Sequence, residues 1–134
     1  MTVDVLTCPV EESLQTVAER MLRNGVGSLI VVNDGTPTGI ITETDCLYAG
    51  YAAERPFIEI PIIKVMSSPL HTIAPKKTLR RATQRMDEED IKKLVVLEDM
   101  DIVGIVTTQD IITSYPDLKA EIHDVERSRS DFKL

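Results

Sequence analysis

Apolar positions along the chain fall into two kinds of run, and both kinds occur twice in the same order. Leu14, Val17, Ala18, Met21 and Leu22 stand at i, i+3, i+4, i+7 and i+8, the spacing of one face of an amphipathic helix. Ser13 precedes them as an N-cap candidate, and Asn24-Gly25 follows with a residue that tolerates positive φ. A continuous apolar run comes next, Leu29-Ile30-Val31-Val32, then Asn33-Asp34-Gly35, then a shorter run around Gly39-Ile40-Ile41. This order predicts a strand, a tight turn and a returning strand. After Asp45, Cys46-Leu47 open a second helix that should end before Arg55-Pro56, because the residue before proline is pushed out of the helical region.

Sliding the chain by 65 positions lays Leu14–Leu47 on Leu79–Ile112 without a gap, and ten of the 34 pairs are identical. About two identities are expected by chance from average composition. The identical pairs include Arg20/Arg85, Met21/Met86, Asp34/Asp99, Gly39/Gly104, Thr42/Thr107 and Asp45/Asp110. Thr78 before Leu79, Ala82 and Met86 matches the first N-cap, and Leu94–Leu97, Glu98–Asp101 and Gly104-Ile105-Val106 match the strand, turn and strand. Each copy is therefore predicted to be β-α-β-β-α, with the second copy's last helix ending before Pro116. The fold class is α/β (α+β): two tandem repeats related by a pseudo-two-fold axis, each too small to be stable alone. Strands this continuously apolar need helices on one face and further cover on the other. The copies span residues 1–55 and 62–116, joined by a proline-punctuated linker, 56–61. The charged tail, 117–134, carries Leu118, Ile122 and Val125 as a thin apolar stripe and is predicted to dock as a short helix.

Composition narrows the function classes. With 134 residues, 43% hydrophobic and 28% charged, the chain is globular and has room for one core or two small ones. Its 15 Lys and Arg against 22 Asp and Glu give a net charge of −7, which disfavours nucleic acid and anionic membranes as partners, and five aromatics leave few stacking platforms. No apolar stretch approaches the ~20 residues of a membrane span, and a soluble cytoplasmic location is expected. Cys8 and Cys46 are read as small buried hydrophobes, and the isolated His71 and His123 suggest no metal site. Lys76, Lys77, Arg80, Arg81 and Arg85 gather on the second copy's first helix and are read as a solvated face, with His71 and Glu43 also placed at the surface.

Both copies close on Gly-h-h-Thr-x-x-Asp, where h is apolar: Gly39-Ile40-Ile41-Thr42-Glu43-Thr44-Asp45 and Gly104-Ile105-Val106-Thr107-Thr108-Gln109-Asp110. Two readings are open. Thr with an acidic residue three positions later is a capping-box variant that any helix might use. Alternatively, a carboxylate at a helix start can accept two hydrogen bonds from a vicinal diol such as ribose.

These motifs, in two tandem β-α-β-β-α repeats, resemble the CBS domain pair, or Bateman module, over roughly residues 2–116. Val65-Met66-Ser67-Ser68-Pro69 and Thr72-Ile73-Ala74-Pro75 ahead of the second copy add to the likeness. The first copy departs from it: Met1 stands opposite Met66, without the Met-Ser-x-Pro lead. The resemblance implies a regulatory module for adenosine-containing ligands, AMP, ADP, ATP or S-adenosylmethionine, in the cleft between the repeats. It requires no cofactor. Asp45 with Thr42 and Asp110 with Thr107 would hold ribose and the first phosphate, and Cys8 to Val10 or Ile73 to Pro75 would contact adenine. Lys92-Lys93, which replace Gly27-Ser28, would serve a phosphorylated ligand anchored by Asp45; alternatively they answer the acidic run Asp87–Asp90 or are solvated. A homodimer and an unidentified protein partner are also implied. No nucleophile with its base, P-loop or metal cluster suggests an enzyme. The alternative function is a ligand-free scaffold using the repeats for association.

Overall fold

The computed structural model describes residues 4–113 and 121–122. The elements run β1 (Thr7–Pro9), α1 (Leu14–Asn24), β2 (Ser28–Asn33), β3 (Thr36–Thr42), α2 (Glu43–Ala53), β4 (Thr72–Ile73), α3 (Leu79–Glu88), β5 (Lys93–Glu98), β6 (Asp101–Thr107) and α4 (Thr108–Thr113). Single 3₁₀ turns at Phe57–Glu59 and Ile62–Lys64 occupy the connection between copies. The sequence repeat is thus a structural one, β-α-β-β-α twice over. The chain divides into two compact units, one of residues 6–70, the other running from His71 and including residues 4 and 5.

In the first unit β1 runs parallel to β2, and β2 pairs antiparallel with β3. The turn joining β2 to β3 places both Asp34 (φ 51°) and Gly35 (φ 80°) in the left-handed region, the geometry two-residue hairpins favour. α1 stops at Gly25, whose φ of 62° lets the chain reverse while the amides of Gly25 and Val26 reach the carbonyls of Leu22 and Met21. Ser13 is the N-cap residue, but its side chain makes no capping bond. The linker supplies the partner instead: the Leu14 amide donates to the Ile60 carbonyl at 2.8 Å. Leu14, Val17 and Met21 of α1 pack on Leu29, Val31 and Ile41 of the sheet, closed by Ile60 and Ile62.

The second unit repeats this plan, with β4 parallel to β5 and β5 antiparallel to β6. Leu79, Ala82 and Met86 of α3 pack on Leu94, Val96 and Val106. Here the cap is made, Thr78 accepting from the Arg81 amide. Ile122 is fully buried in this core, and its amide donates to the Lys77 carbonyl. The remainder of the predicted tail helix, Leu118 and Val125 included, lies outside the described residues, as does Pro116. In both units the central strand is buried on both faces, since Ile30 and Val95 are as inaccessible as their neighbours that face the helices.

The segment that leads into the second copy packs on the first. Residues 62–70 cluster with the first unit, where Ser67 exchanges two backbone hydrogen bonds with Ile40 (3.1 and 2.9 Å) and extends the sheet beyond β3. Gly39 permits this close approach: a Cβ there would lie 2.7 Å from the Met66 sulfur and 3.0 Å from the Ser67 carbonyl oxygen. Gly39→Ala is expected to destabilise by about 1–3 kcal/mol through overpacking. Gly27→Ala, whose Cβ would meet only the Glu43 carboxylate at 3.4 Å, should cost less, and thermal melts of the two variants compare them directly.

Candidate functional site

Each Thr-x-x-Asp motif joins the last residue of a strand to the first turn of a helix. Thr42 is extended (φ −114°, ψ 168°) and caps α2. Its hydroxyl accepts from the Asp45 amide at 3.2 Å, and Asp45 Oδ2 accepts from the Thr42 amide at 2.9 Å. The second copy reproduces both bonds at the same lengths, Thr107 with Asp110. The capping-box reading is realised twice, and each box should contribute about 1 kcal/mol. Capping occupies one lone pair of Oδ2, so Asp45, whose Oδ1 takes no hydrogen bond from the described residues, retains capacity to accept from a diol. Asp45 is half-buried, and Asp110 is only 5% exposed. Their position at N3 also sets a negative charge against the positive end of the helix dipole.

The surroundings of the two motifs differ. Asp45 borders a pocket of about 640 Å³ formed with Thr44, Tyr48, Ile60 and Lys64. In the second unit Lys93 pairs with Thr107 across the hairpin, and the Lys92 carbonyl accepts from the Thr108 amide. Lys92 is exposed and lines a groove with Thr108, Ile111 and Ile112; Lys93 is half-buried and engaged. Both lysines thus neighbour the Thr107–Asp110 cap within their own repeat. Gly27 and Ser28 hold the equivalent places beside Thr42, with the Glu43 amide donating to Gly27.

The residues proposed for adenine stand elsewhere. Cys8 (1% exposed) and Ile73 (6%) turn their side chains into the cores, so only their backbone can meet a ligand. Val10 and Pro75 are half-buried at the ends of β1 and β4. Within one repeat these segments lie toward the hairpin turn, because Pro9 registers with Val32 and Ile73 with Val96. The Thr-x-x-Asp cap lies at the opposite end of the same sheet. A single repeat therefore does not bring its own adenine and ribose candidates together.

Arg85, grouped above with a solvated face, is half-buried and structural. Its guanidinium donates to the Thr72 carbonyl and to Glu89, which also lies 3.1 Å from Nδ1 of a half-buried His71. Arg20 makes the equivalent bond to Thr7. The signal was present in the repeat, where Arg20 and Arg85 are an identical pair on otherwise divergent helix faces. Among the described residues no group of three or more His, Cys, Asp or Glu could hold a metal ion, and no helix is long and apolar enough to cross a membrane.

This architecture defines a class of tandem β-α-β-β-α repeats, and known proteins place the chain within it. The CBS domain family model matches residues 1–51 and 62–117. The chain belongs to the CBS domain family. It is 31% identical to the CBS domain-containing protein YhcV of Bacillus subtilis over 83% of this chain and 79% of that one. The uncharacterised protein MK0525 of Methanopyrus kandleri is 32% identical over 90% of this chain; the chain spans 63% of that protein's length and 31% of MJ1404 of Methanocaldococcus jannaschii. A conserved protein from Pyrococcus horikoshii superposes with a TM-score of 0.75 at 30% identity, covering 86% of this chain and 87% of that one. A CBS domain protein from Pyrobaculum aerophilum complexed with AMP superposes with a TM-score of 0.68 at 22% identity, covering 80% and 82% of the two chains.

Two measurements check the site's local chemistry. Asp45→Ala removes the acceptor for the Thr42 amide and should cost about 1 kcal/mol, whereas Asp45→Asn keeps an acceptor and should cost less, read as melting temperatures. Burial is the largest influence pushing both thiols above their ordinary range, reinforced by Glu12 at Cys8 and by Asp45 and Glu43 at Cys46, although Arg20 pulls Cys8 down. A raised folded-state value means the folded chain resists losing the proton. Stability is then intact below the ordinary thiol range and falls as pH rises through it, and denaturant melts in alkaline buffer should show the midpoint dropping less in a Cys8→Ala, Cys46→Ala double variant.

Proposed function

We propose that the chain is a regulatory binding module for an adenosine-containing ligand, AMP, ADP, ATP or S-adenosylmethionine, and that Thr42 with Asp45 and Thr107 with Asp110 receive its ribose and first phosphate. The observation that carries this reading is the duplicated cap: a hydroxyl and a carboxylate are held at a strand end by two hydrogen bonds of matching length in each copy. A carboxylate already fixed in place loses little freedom when it accepts a diol, which favours binding. The AMP complex of the Pyrobaculum aerophilum protein supports the ligand class. So does MJ1225 of Methanocaldococcus jannaschii, 29% identical with a TM-score of 0.69 and proposed to be an archaeal homologue of γ-AMPK; the chain covers 45% of it. In this reading the chain catalyses nothing. Occupancy shifts a conformational equilibrium that a protein partner reads.

A second reading, association without ligand, draws support from the first unit's surface. Leu22 (83% exposed), Leu47 (75%) and Tyr51 (85%) project from α1 and α2, as expected of a homodimer face. One experiment separates the two. Isothermal titration of AMP, ATP and S-adenosylmethionine into the wild type, Asp45→Asn and Asp110→Asn is expected to show binding that at least one substitution abolishes while the melting temperature holds. If no ligand binds the wild type, yet sedimentation shows a dimer, the scaffold reading replaces the sensor.

A further inference from the structure

At the hairpin end of the second repeat a pocket of about 480 Å³ opens between β4, the face of α3 and the β5–β6 turn. Its lining joins Ala74 and Leu97 to the charged Lys77, Arg81, Arg85 and Asp99. We propose that this pocket binds a small phosphate monoester carrying hydroxyl groups, at a site distinct from the Thr107–Asp110 cap. The two sites sit at opposite ends of the sheet: Lys93 registers with Thr107 at the cap end, Leu97 with Ile102 at the other, and four residues of strand span about 13 Å.

The duplicated chain supplies its own control. Under the 65-residue offset, the positions of Lys77, Arg81, Arg85 and Asp99 are held in the first copy by Glu12, Thr16, Arg20 and Asp34. Three cations against one carboxylate thus replace one cation against two on the same backbone plan. Arg20 and Arg85, the pair retained, share a backbone bond that the fold uses. Lys77 and Arg81 are the change, so the fold does not require them. Glu89 is taken by Arg85 and His71, Glu88 reaches Arg81 only at 3.9 Å, and the Lys77 ammonium makes no ion pair among the described residues.

An arginine fork beside a lysine suits a phosphate, and a volume of a few hundred Å³ suits a small molecule. Asp99 sets the rest of the ligand. It repels a bare anion but accepts from a hydroxyl, so a hydroxylated ester should bind better than inorganic phosphate.

The test is isothermal titration of glucose 6-phosphate, inorganic phosphate and glucose into the full chain at low ionic strength. Glucose 6-phosphate is expected to bind more tightly than phosphate, and glucose not to bind. Lys77→Glu with Arg81→Thr, residues with which the first copy already folds, should weaken the ester about tenfold or more, as loss of charge-assisted bonds implies. Asp99→Asn should tighten phosphate and narrow its gap to the ester, which keeps the assignment testable if the double variant does not fold. Absence of ester binding to the wild type overturns the proposal, and so does its loss in Asp45→Asn or Asp110→Asn, which would send the ester to a cap. Failure of adenosine ligands to bind leaves it standing.

Discussion

The central strands β2 and β5 are buried on both faces, and most of the architecture answers to that constraint. A strand with no polar face must be covered twice. Within each unit the helix pair covers one face, through Leu29 and Val31 in the first copy and Leu94 and Val96 in the second. Ile30 and Val95, on the other face, are just as buried. The same demand draws Ile60, Ile62 and the segment to Leu70 onto the first unit, since Ile60 and Ile62 close its core and Ser67 pairs with its outer strand.

Within that frame the Thr-x-x-Asp motif serves two ends with one carboxylate. Reciprocal hydrogen bonds satisfy amides that the helix start would otherwise leave unpaired, and they hold the carboxylate in one orientation. Structural capping and ligand binding are therefore not competing accounts of Asp45. The cap prepares the acceptor, and a ligand would use the lone pairs that capping leaves.

Duplication lets the two copies be compared as variants of one scaffold. Where they agree, the agreement marks a physical requirement, as with Arg20 and Arg85 bonding to edge-strand carbonyls or the shared register shifts between Val31 and Val32 and between Val96 and Leu97. Where they differ, the fold is released from a constraint. Gly27-Ser28 against Lys92-Lys93, and Glu12 and Thr16 against Lys77 and Arg81, change charge without changing an element, which makes them the places where the copies can acquire separate ligands.

The linear sequence alone determined the repeat, the element order, the hairpin turn at Asp34-Gly35, the Gly25 helix end and the place of each Thr-x-x-Asp motif at a helix start, because each rests on local patterning. It also placed Ile122 on an apolar stripe. Other features needed the tertiary structure. Ser13 is a capping residue by type, yet its helix start is satisfied by Ile60, distant in sequence. Met66 and Ser67 lead into the second copy but pack against Gly39 of the first, and Arg85 looked solvated until Thr72 and Glu89 came within its reach. The separation of the adenine candidates from the cap of their own repeat is equally a matter of strand register. Contacts between distant residues depend on how the sheet brings its edges and ends together, and no periodicity along the chain encodes which partner arrives there.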